Sequence, residues 1–257
     1  MIWADHAWIL PAIPAISFVV LFLFGRKLPR GGDFISVGAA LAVFVLFFFV
    51  LESHLDWLGA GLGGIRNVGT DWINFDSFVV RLGFTVDSIA MVMVFVVATV
   101  ALMVNIYSTN YLRHHGRPEP RYWWYFAVLS LFVAMMLTLV LADNLLLMFV
   151  AWEGVGLCSF LLIGFYYERR SAVEAAKKAF VTTRLGDVGL FIGIILFWRA
   201  TGSFQISDII AAAEAGRVND LPQDPSSESG GTAGRRDADG PEPVFAGRDV
   251  RDPIRRP

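Results

Sequence analysis

The chain has 257 residues, of which 56% are hydrophobic and 17% are charged, and its formal net charge is -2 at pH 7. Its mean hydropathy of +0.58 is above that of soluble domains and is typical of proteins that cross a membrane several times. The near-neutral charge argues against a nucleic-acid partner. The single cysteine, Cys158, excludes a disulfide framework, a tetrathiolate zinc site and an iron–sulfur cluster, so we expect no redox cofactor on this chain.

Six apolar segments are predicted to be transmembrane helices, because roughly 20 apolar residues of helix cross a bilayer core of about 30 Å. The first segment is short, carries Pro11 and Pro14, and follows a start, MIWADHAW, without the basic residues of a signal peptide. The sequence therefore predicts an all-α, polytopic bundle. In chain order the segments are Ile9–Phe24, Ile35–Leu51, Val86–Tyr107, Trp123–Leu141, Leu145–Tyr167 and Arg184–Trp198.

The longest connector, Glu52–Val86, is predicted to form a small β-hairpin outside the membrane, because stretches of alternating polarity follow its glycine-rich start. The glycines Gly59–Gly64, GAGLGG, have the spacing of a dinucleotide-binding loop. No strand is predicted before them and no helix after them, so a plain loop is favoured.

The hydrophilic end of the chain differs from the rest in composition. The stretch SFQISDIIAAAEAG predicts a short amphipathic helix capped by Ser207 or Asp208. After it, large apolar residues almost disappear, so no core can be buried and disorder is expected. We divide the chain into a membrane bundle, residues 1–216, and a disordered hydrophilic tail, residues 217–257.

Basic residues alternate between the connectors and predict the orientation. They concentrate in GRKLPRGG after the first segment, NYLRHHGRPEPR after the third and ERRSAVEAAKK after the fifth. The positive-inside rule assigns these connectors to the cytoplasm and the N-terminus to the outside. Tryptophan and tyrosine residues cluster at the ends of the segments, as expected of side chains that favour the lipid headgroup layer.

Glu153 lies in the middle of the fifth segment. It follows the Asp143–Asn144 turn by about nine residues, which is roughly 13 Å of helix. A charged carboxylate at such a depth costs about 3 kcal/mol, so intramembrane acids are functional candidates by default. The small neighbours Gly154 and Gly156 favour a packed position inside the bundle. A protonated glutamate that only bonds a neighbouring helix is the alternative.

A second group of charges occupies the stretch VEAAKKAFVTTRLGDVG. Glu174 and Lys178 are four residues apart, and Arg184 and Asp187 are three apart, so each pair shares a helix face. In a continuous helix Asp187 lies roughly 13 Å deeper than Lys178. A lysine, an arginine and a carboxylate spread along the depth of a membrane suit a proton relay. The alternative is a cluster that snorkels or anchors a loop.

These two stretches, VLADNLLLMFVAWEGVGLCSFLLIGFYY and AAKKAFVTTRLGDVGLFIGIILFW, resemble the antiporter-like subunit L, or subunit 5, of respiratory complex I, the NADH-quinone oxidoreductase. LGFTVDSIAMVM fits the same family, and the resemblance extends over about Ile9–Gly216. It implies a membrane-arm subunit that translocates protons. Glu153 corresponds to the family's glutamate, Arg184 and Asp187 to its arginine and aspartate, and Lys178 falls in the same stretch.

The resemblance also implies the surroundings of the chain. Its partners would be the lipid bilayer and other complex I membrane subunits, which would form the assembly together with the subunits that carry NADH, FMN, iron–sulfur clusters and quinone. The location would be a bacterial plasma membrane. Family members have more helices, including a broken one with the lysine that pairs with the glutamate. We therefore expect a truncated or frameshifted product, with further helices encoded downstream.

Two other functions remain open from the sequence. The chain resembles, more distantly, the large subunit of multi-subunit cation/proton antiporters. It would then have the same site without a coupled oxidoreductase. A non-catalytic element of membrane assembly is the third possibility, because the channel of the family would be incomplete. Whether the chain is part of an enzyme stays open from the sequence. If it is, we expect a translocase component that carries out no redox chemistry of its own.

Overall fold

The computed structural model describes residues 6–59, 66–75, 78–114 and 117–214. The helices are α1 Ile9–Phe24, α2 Asp33–Gly59, α3 Ser88–Tyr111, α4 Tyr122–Leu141, α5 Leu145–Ile163, α6 Arg170–Thr201 and α7 Ile206–Glu214. Short 3-10 helices, Pro29–Gly32 and Gly164–Tyr166, precede α2 and follow α5. The strands are β1 Arg66–Phe75, β2 Phe78–Val86, β3 Arg113–His114 and β4 Arg117–Pro118, and they pair as the antiparallel hairpins β1–β2 and β3–β4.

Helices α2 to α6 are long and apolar enough to cross a membrane, and α1 is a shorter apolar helix of 16 residues. The predicted helical bundle with a β-hairpin is therefore confirmed. The predicted tail and residues 60–64 of the glycine loop lie outside the described residues. Half of the apolar window of α4 is buried, against 11% for α5 and for α6, so α4 is the central helix. It packs against α1, α2, α3 and α5, while α6 packs against α5.

The helix ends follow polar signals that a count of apolar residues does not detect. The prediction for α1 is confirmed, but the predicted end of the second helix at Leu51 is wrong, because α2 continues for two more turns to Gly59. The predicted start of the third helix at Val86 is also wrong. The carboxylate of Asp87 accepts a hydrogen bond of 2.6 Å from the Ala90 N–H, which caps α3 at that point.

Helix α6 is longer than the predicted membrane segment Arg184–Trp198. Its 32 residues run without interruption from the basic connector through the membrane segment, which corresponds to about 48 Å at a rise of 1.5 Å per residue. It ends where Gly202 adopts a left-handed backbone, with φ of 73°, and donates its N–H to the Trp198 carbonyl. Lys178 and Asp187 therefore lie on one continuous helix, as their predicted difference in depth requires.

The β1–β2 hairpin and the segment before α7 pack on the turn between α4 and α5. The Asp143 N–H donates to the Gly83 carbonyl over 3.2 Å, and the Leu145 N–H donates to the Phe204 carbonyl over 3.0 Å. Asn144 caps α5 by accepting a hydrogen bond of 2.7 Å from the Leu147 N–H, which confirms its interpretation as a turn residue. These contacts fix the end of the bundle opposite the basic connectors.

The predicted caps of α7 are wrong. The helix begins at Ile206, so Ser207 and Asp208 lie in its first turn rather than before it. The hydroxyl of Ser203 accepts a hydrogen bond of 3.1 Å from the Gln205 N–H and donates one of 2.7 Å to the Asp208 carboxylate. The polar side chain that organises this helix start is therefore located upstream of the predicted ones.

A buried polar cluster joins the first four helices. Ser36 of α2 donates to the Asn105 side-chain carbonyl over 2.7 Å, and its hydroxyl lies 2.8 Å from that of Ser130 in α4. Ser17 of α1 reaches the same Ser130 hydroxyl at 3.2 Å. Interhelical hydrogen bonds of this kind contribute on average about 0.6 kcal/mol each to the stability of membrane proteins. The cluster therefore adds little to the stability of the bundle, but it fixes the register of four helices.

An ionic cluster holds two basic connectors together. Asp33, at the start of α2, is 1% exposed and lies 3.2 Å from Arg30 and 3.0 Å from Arg113. The Tyr122 hydroxyl donates to the same carboxylate oxygen over 3.0 Å. The connectors that follow α1 and α3 therefore meet at one end of the bundle, as the alternating pattern of basic residues predicts.

Candidate functional site

The predicted site residues Glu153 and Arg184 form an ion pair between α5 and α6. The two helices pack in opposite directions, so the middle of α5 faces the middle of α6. The Glu153 side chain is 26% exposed and that of Arg184 is 30% exposed. The pair therefore lies at the helix interface with an open edge, and the glutamate has a partner within this chain.

Asp187 is the second carboxylate on Arg184. One of its oxygens lies 3.4 Å from the arginine Nε, which confirms that the predicted i, i+3 neighbours are in contact. The other oxygen accepts a hydrogen bond of 2.8 Å from the Trp152 indole N–H on α5. Asp187 is only 6% exposed, so it is the most deeply buried charge of the cluster.

The position of the guanidinium depends on a glycine and on an aromatic ring. A Cβ atom at Gly156 would lie 2.7 Å from the Arg184 Nη2, so a side chain there would displace the arginine. On the other side, the Phe180 ring lies with its centroid 4.8 Å from the Arg184 Cζ, which is within cation–π distance. Arg184 therefore lies in a slot between α5 backbone and an aromatic face.

Aromatic pairs flank this charged cluster along the helix axis. Phe149 contacts Phe191 at 5.2 Å between ring centroids on one side, and Phe160 contacts Phe180 at 5.2 Å on the other. These rings place apolar surface at the helix interface on both sides of the charges. Electrostatic interactions between the charges are consequently stronger than they would be in water.

Lys178 does not join the cluster. Its side chain is exposed, and within the described part of the chain it makes no ion pair. The predicted pairing of Glu174 with Lys178 is wrong, because Glu174 accepts a hydrogen bond of 2.9 Å from the Arg170 Nε. Both basic residues are four positions from Glu174, one on each side, and spacing alone does not choose between them.

Trp152 and Phe180 are functional candidates that the sequence analysis did not identify. A signal was available for Trp152, because tryptophan normally favours the membrane interface and its N–H needs a partner when it lies near mid-membrane. No comparable signal marks Phe180, whose ring becomes relevant only once Arg184 is seen to lie over it.

Comparison with known families identifies the fold to which this cluster belongs. Residues 142–223 match a family model described as NADH:quinone oxidoreductase/Mrp antiporter, TM, and residues 72–126 match one described as NADH-Ubiquinone oxidoreductase (complex I), chain 5 N-terminus. The first match includes all four predicted site residues, Glu153, Lys178, Arg184 and Asp187.

Several curated relatives agree with these matches. F(420)H(2) dehydrogenase subunit L of Methanosarcina mazei is 40% identical over 78% of this chain. NADH-quinone oxidoreductase subunit L of Mycobacterium tuberculosis is 37% identical over 82% of it. Chloroplastic NAD(P)H-quinone oxidoreductase subunit 5 of Marchantia polymorpha is 37% identical over 80% of it. The chain belongs to the subunit L (subunit 5) family. It is a multi-pass membrane protein, and it spans about 30% of the length of these relatives.

The fold is also shared with a solved antiporter assembly. A chain in the structure of the Mrp complex from Dietzia sp. DQ12-45-1b superimposes with a TM-score of 0.64. The sequence identity is 22%, and the match covers 83% of this chain and 22% of that one. The subunit L family and the Mrp antiporter therefore share this arrangement of helices.

Proposed function

We propose that this chain contributes a proton-translocating site to the membrane arm of a quinone-reducing oxidoreductase of the complex I type. The proposal rests on one observation, the cluster in which Glu153 and Asp187 share Arg184 between two membrane-spanning helices. Charges at this depth are expensive, so a group of three is expected to have a function. Membership of the subunit L family supports the proposal.

The charge count of the cluster suggests how it handles a proton. Two carboxylates face one guanidinium, so the fully ionised cluster carries one excess negative charge. Uptake of a single proton by either acid removes that excess, and Arg184 then pairs fully with the other acid. Proton binding to Glu153 would thus move Arg184 toward Asp187, and its release would draw the arginine back.

The cluster has an arrangement that permits such a shift. The Arg184 Nε and one Asp187 oxygen are buried and lie 3.4 Å apart as an ion pair, without a hydrogen bond between them. A small movement of the guanidinium would complete that bond. The Trp152 N–H holds the other Asp187 oxygen, so the aspartate stays in place while the arginine moves.

Lys178 belongs to the same proposal as the group that exchanges protons with the rim of the membrane. It lies about nine residues from Asp187, or roughly 13 Å along α6. A proton crossing that distance would need bridging water molecules, since one hydrogen bond between heavy atoms spans about 3 Å. The exposed position of Lys178 supports a role at the edge of the path rather than within the cluster.

The assembly that we propose around this site follows the relatives. Other membrane subunits would contact the chain, and separate subunits would carry NADH or a related donor, FMN, iron–sulfur clusters and quinone. The basic end of the bundle would face the cytoplasm, with the N-terminus outside, in a bacterial plasma membrane. This chain itself would supply no redox group, since its contribution is the movement of a proton.

A cation/proton antiporter subunit is the second candidate. It is supported by the family model that names the Mrp antiporter and by the shared fold of the Mrp complex. The site would be the same, and the driving force would be an ion gradient rather than electron transfer. Purification of the native assembly separates the two candidates, because flavin and iron–sulfur proteins accompany the chain only in the first.

The proposal is tested with Glu153→Gln in everted membrane vesicles of the host. Electron transfer and proton uptake are measured in the same sample, and their ratio is compared with the wild type. Glu174→Gln is the matched control, because it makes the same change in the exposed pair with Arg170 at the rim of α6. We expect Glu153→Gln to lose most of the protons moved per electron and the control to retain them.

The contrary results are equally specific. An unchanged ratio in Glu153→Gln would leave the chain as a non-catalytic element of the assembly. If Glu153→Gln loses electron transfer and the complex also fails to assemble, the variant has a structural defect. In that case Glu153→Asp distinguishes a role in proton transport from a purely structural role. It keeps the carboxylate, so it should restore part of the proton transport.

A further inference from the structure

A cavity of about 590 Å³ lies at the basic end of the bundle, where the start of α4, the end of α5 and the start of α6 converge. It is separate from the charged cluster around Glu153, which does not line it. Its walls combine positive charge, aromatic rings and aliphatic side chains. This combination differs from the wholly apolar grooves elsewhere on the described bundle, such as the one between α3 and α4.

Three cations line the rim of the cavity, and they come from three different connectors. They are Arg26 after α1, Arg121 before α4 and Lys177 in the first turns of α6. Arg121 lies 3.3 Å from the Glu168 carboxylate. Among the residues that the structure describes, Arg26 and Lys177 make no ion pair, and both side chains are exposed. The rim therefore carries a net positive charge.

Aromatic rings hold two of these cations in place. The Arg121 Cζ lies 3.7 Å from the centroid of the Tyr167 ring, and the Arg26 Cζ lies 5.9 Å from that of Trp123. Both distances are within the range of cation–π contacts. Tryptophan and tyrosine are the side chains that favour the lipid headgroup layer, so the rim lies at that level of the membrane.

The lower wall of the cavity is apolar. Phe160 and Leu161 of α5 line it. Phe160 contacts Phe180, which lies deeper along α6 than Lys177, so this wall is below the charged rim. A molecule that fits the whole surface needs an anionic group at the headgroup level and a hydrocarbon portion beneath it. A free anion would leave the apolar wall uncovered, and a neutral apolar molecule would leave the two cations without a counter-charge.

We propose that this cavity binds the phosphodiester headgroup and upper acyl chains of an anionic phospholipid. Basic pockets between transmembrane helices at one membrane face are suited to such lipids. The phosphate would lie between Arg26 and Lys177, and the acyl chains would run along Phe160 and Leu161. Because Arg26 follows α1 and Lys177 belongs to α6, the bound lipid would connect the first helix of the bundle to the sixth.

The test is native mass spectrometry of the full chain in detergent, titrated with phosphatidylglycerol, with phosphatidylcholine and with inorganic phosphate. We expect one phosphatidylglycerol to bind in preference to phosphatidylcholine. The double variant Arg26→Gln, Lys177→Gln should bind it about 25-fold more weakly, since each basic residue near an anionic lipid contributes about fivefold. The matched control is Lys27→Gln, Lys178→Gln, which removes the adjacent exposed cations that do not line the cavity.

Three results would overturn the proposal. The two phospholipids could bind equally, the control variant could lose as much affinity as the cavity variant, or inorganic phosphate could displace the lipid at the same concentration. A folding defect is excluded by a second variant, Arg26→Lys, Lys177→Arg. It keeps both charges and should bind phosphatidylglycerol like the wild type.

Discussion

Gly156→Ala tests the geometry of the charged cluster without removing any charge. The added Cβ would lie 2.7 Å from the Arg184 Nη2, whereas ordinary contacts of a Cβ begin at 3.4 Å, so the guanidinium must move by at least the difference. At an effective dielectric constant of about 20, lengthening a contact between unit charges from about 3 to about 3.7 Å costs roughly 1 kcal/mol. That corresponds to about a fivefold loss in any step that depends on the pair.

The fold should tolerate this change. The atom that must move is the far end of a flexible side chain, and alanine favours helix more than glycine by about 0.5–1 kcal/mol. We therefore expect normal amounts of protein, normal thermal stability in detergent and about fivefold fewer protons moved per electron. Gly164→Ala is the control, because its Cβ would make an ordinary contact of 3.5 Å with Ala176 across the interface with α6.

Two results would refute this reasoning. If Gly156→Ala moves protons at the wild-type ratio, the position of Arg184 is unimportant to the function. If Gly164→Ala loses as much as Gly156→Ala, the effect comes from an added methyl group in the interface with α6 and not from the displaced guanidinium.

Two further changes follow from buried contacts. Asp33→Asn removes the buried carboxylate that accepts hydrogen bonds from Arg113 and Tyr122, so it should lower the stability of the bundle by about 2 kcal/mol. Thermal unfolding in detergent measures the loss, and an equal loss in exposed Asp56→Asn would contradict this reasoning. Trp152→Phe keeps an aromatic ring but removes the N–H that donates to the buried Asp187 carboxylate, so it should slow proton transport and lower stability by about 1–3 kcal/mol. Unaltered transport would exclude a role for this hydrogen bond.

Most of the fold was predictable because the bilayer requires long apolar helices, and their lengths can be read from the sequence. The ends were less predictable. Helix α2 continues past its apolar segment to Gly59, because the polar residues that follow Leu51 are also compatible with a helix. Helix α3 starts where Asp87 caps it. The apolar count measures the membrane segment of a helix, and the polar residues beyond that segment decide where the helix ends.

The charged cluster was predictable only in part. The contact between Arg184 and Asp187 follows from their spacing on one helix. The pairing of Glu153 with Arg184 depends on how far α5 and α6 slide along each other, which no local pattern specifies. The same limit applies to Asp33, which appears in the sequence as one acid beside a basic connector, although it joins two connectors that are far apart in the chain.

The pairing of Glu153 with Arg184 is tested most directly by the protons moved per electron in three variants: Glu153→Gln, Arg184→Gln, and the two together. Arg184→Gln leaves two carboxylates without a cation, so it should transport least, while the double variant removes one of those charges and should transport more than Arg184→Gln alone. That recovery is the predicted result. If the losses of the two single variants simply add in the double variant, the two residues act independently and the proposed exchange of Arg184 between the acids is wrong.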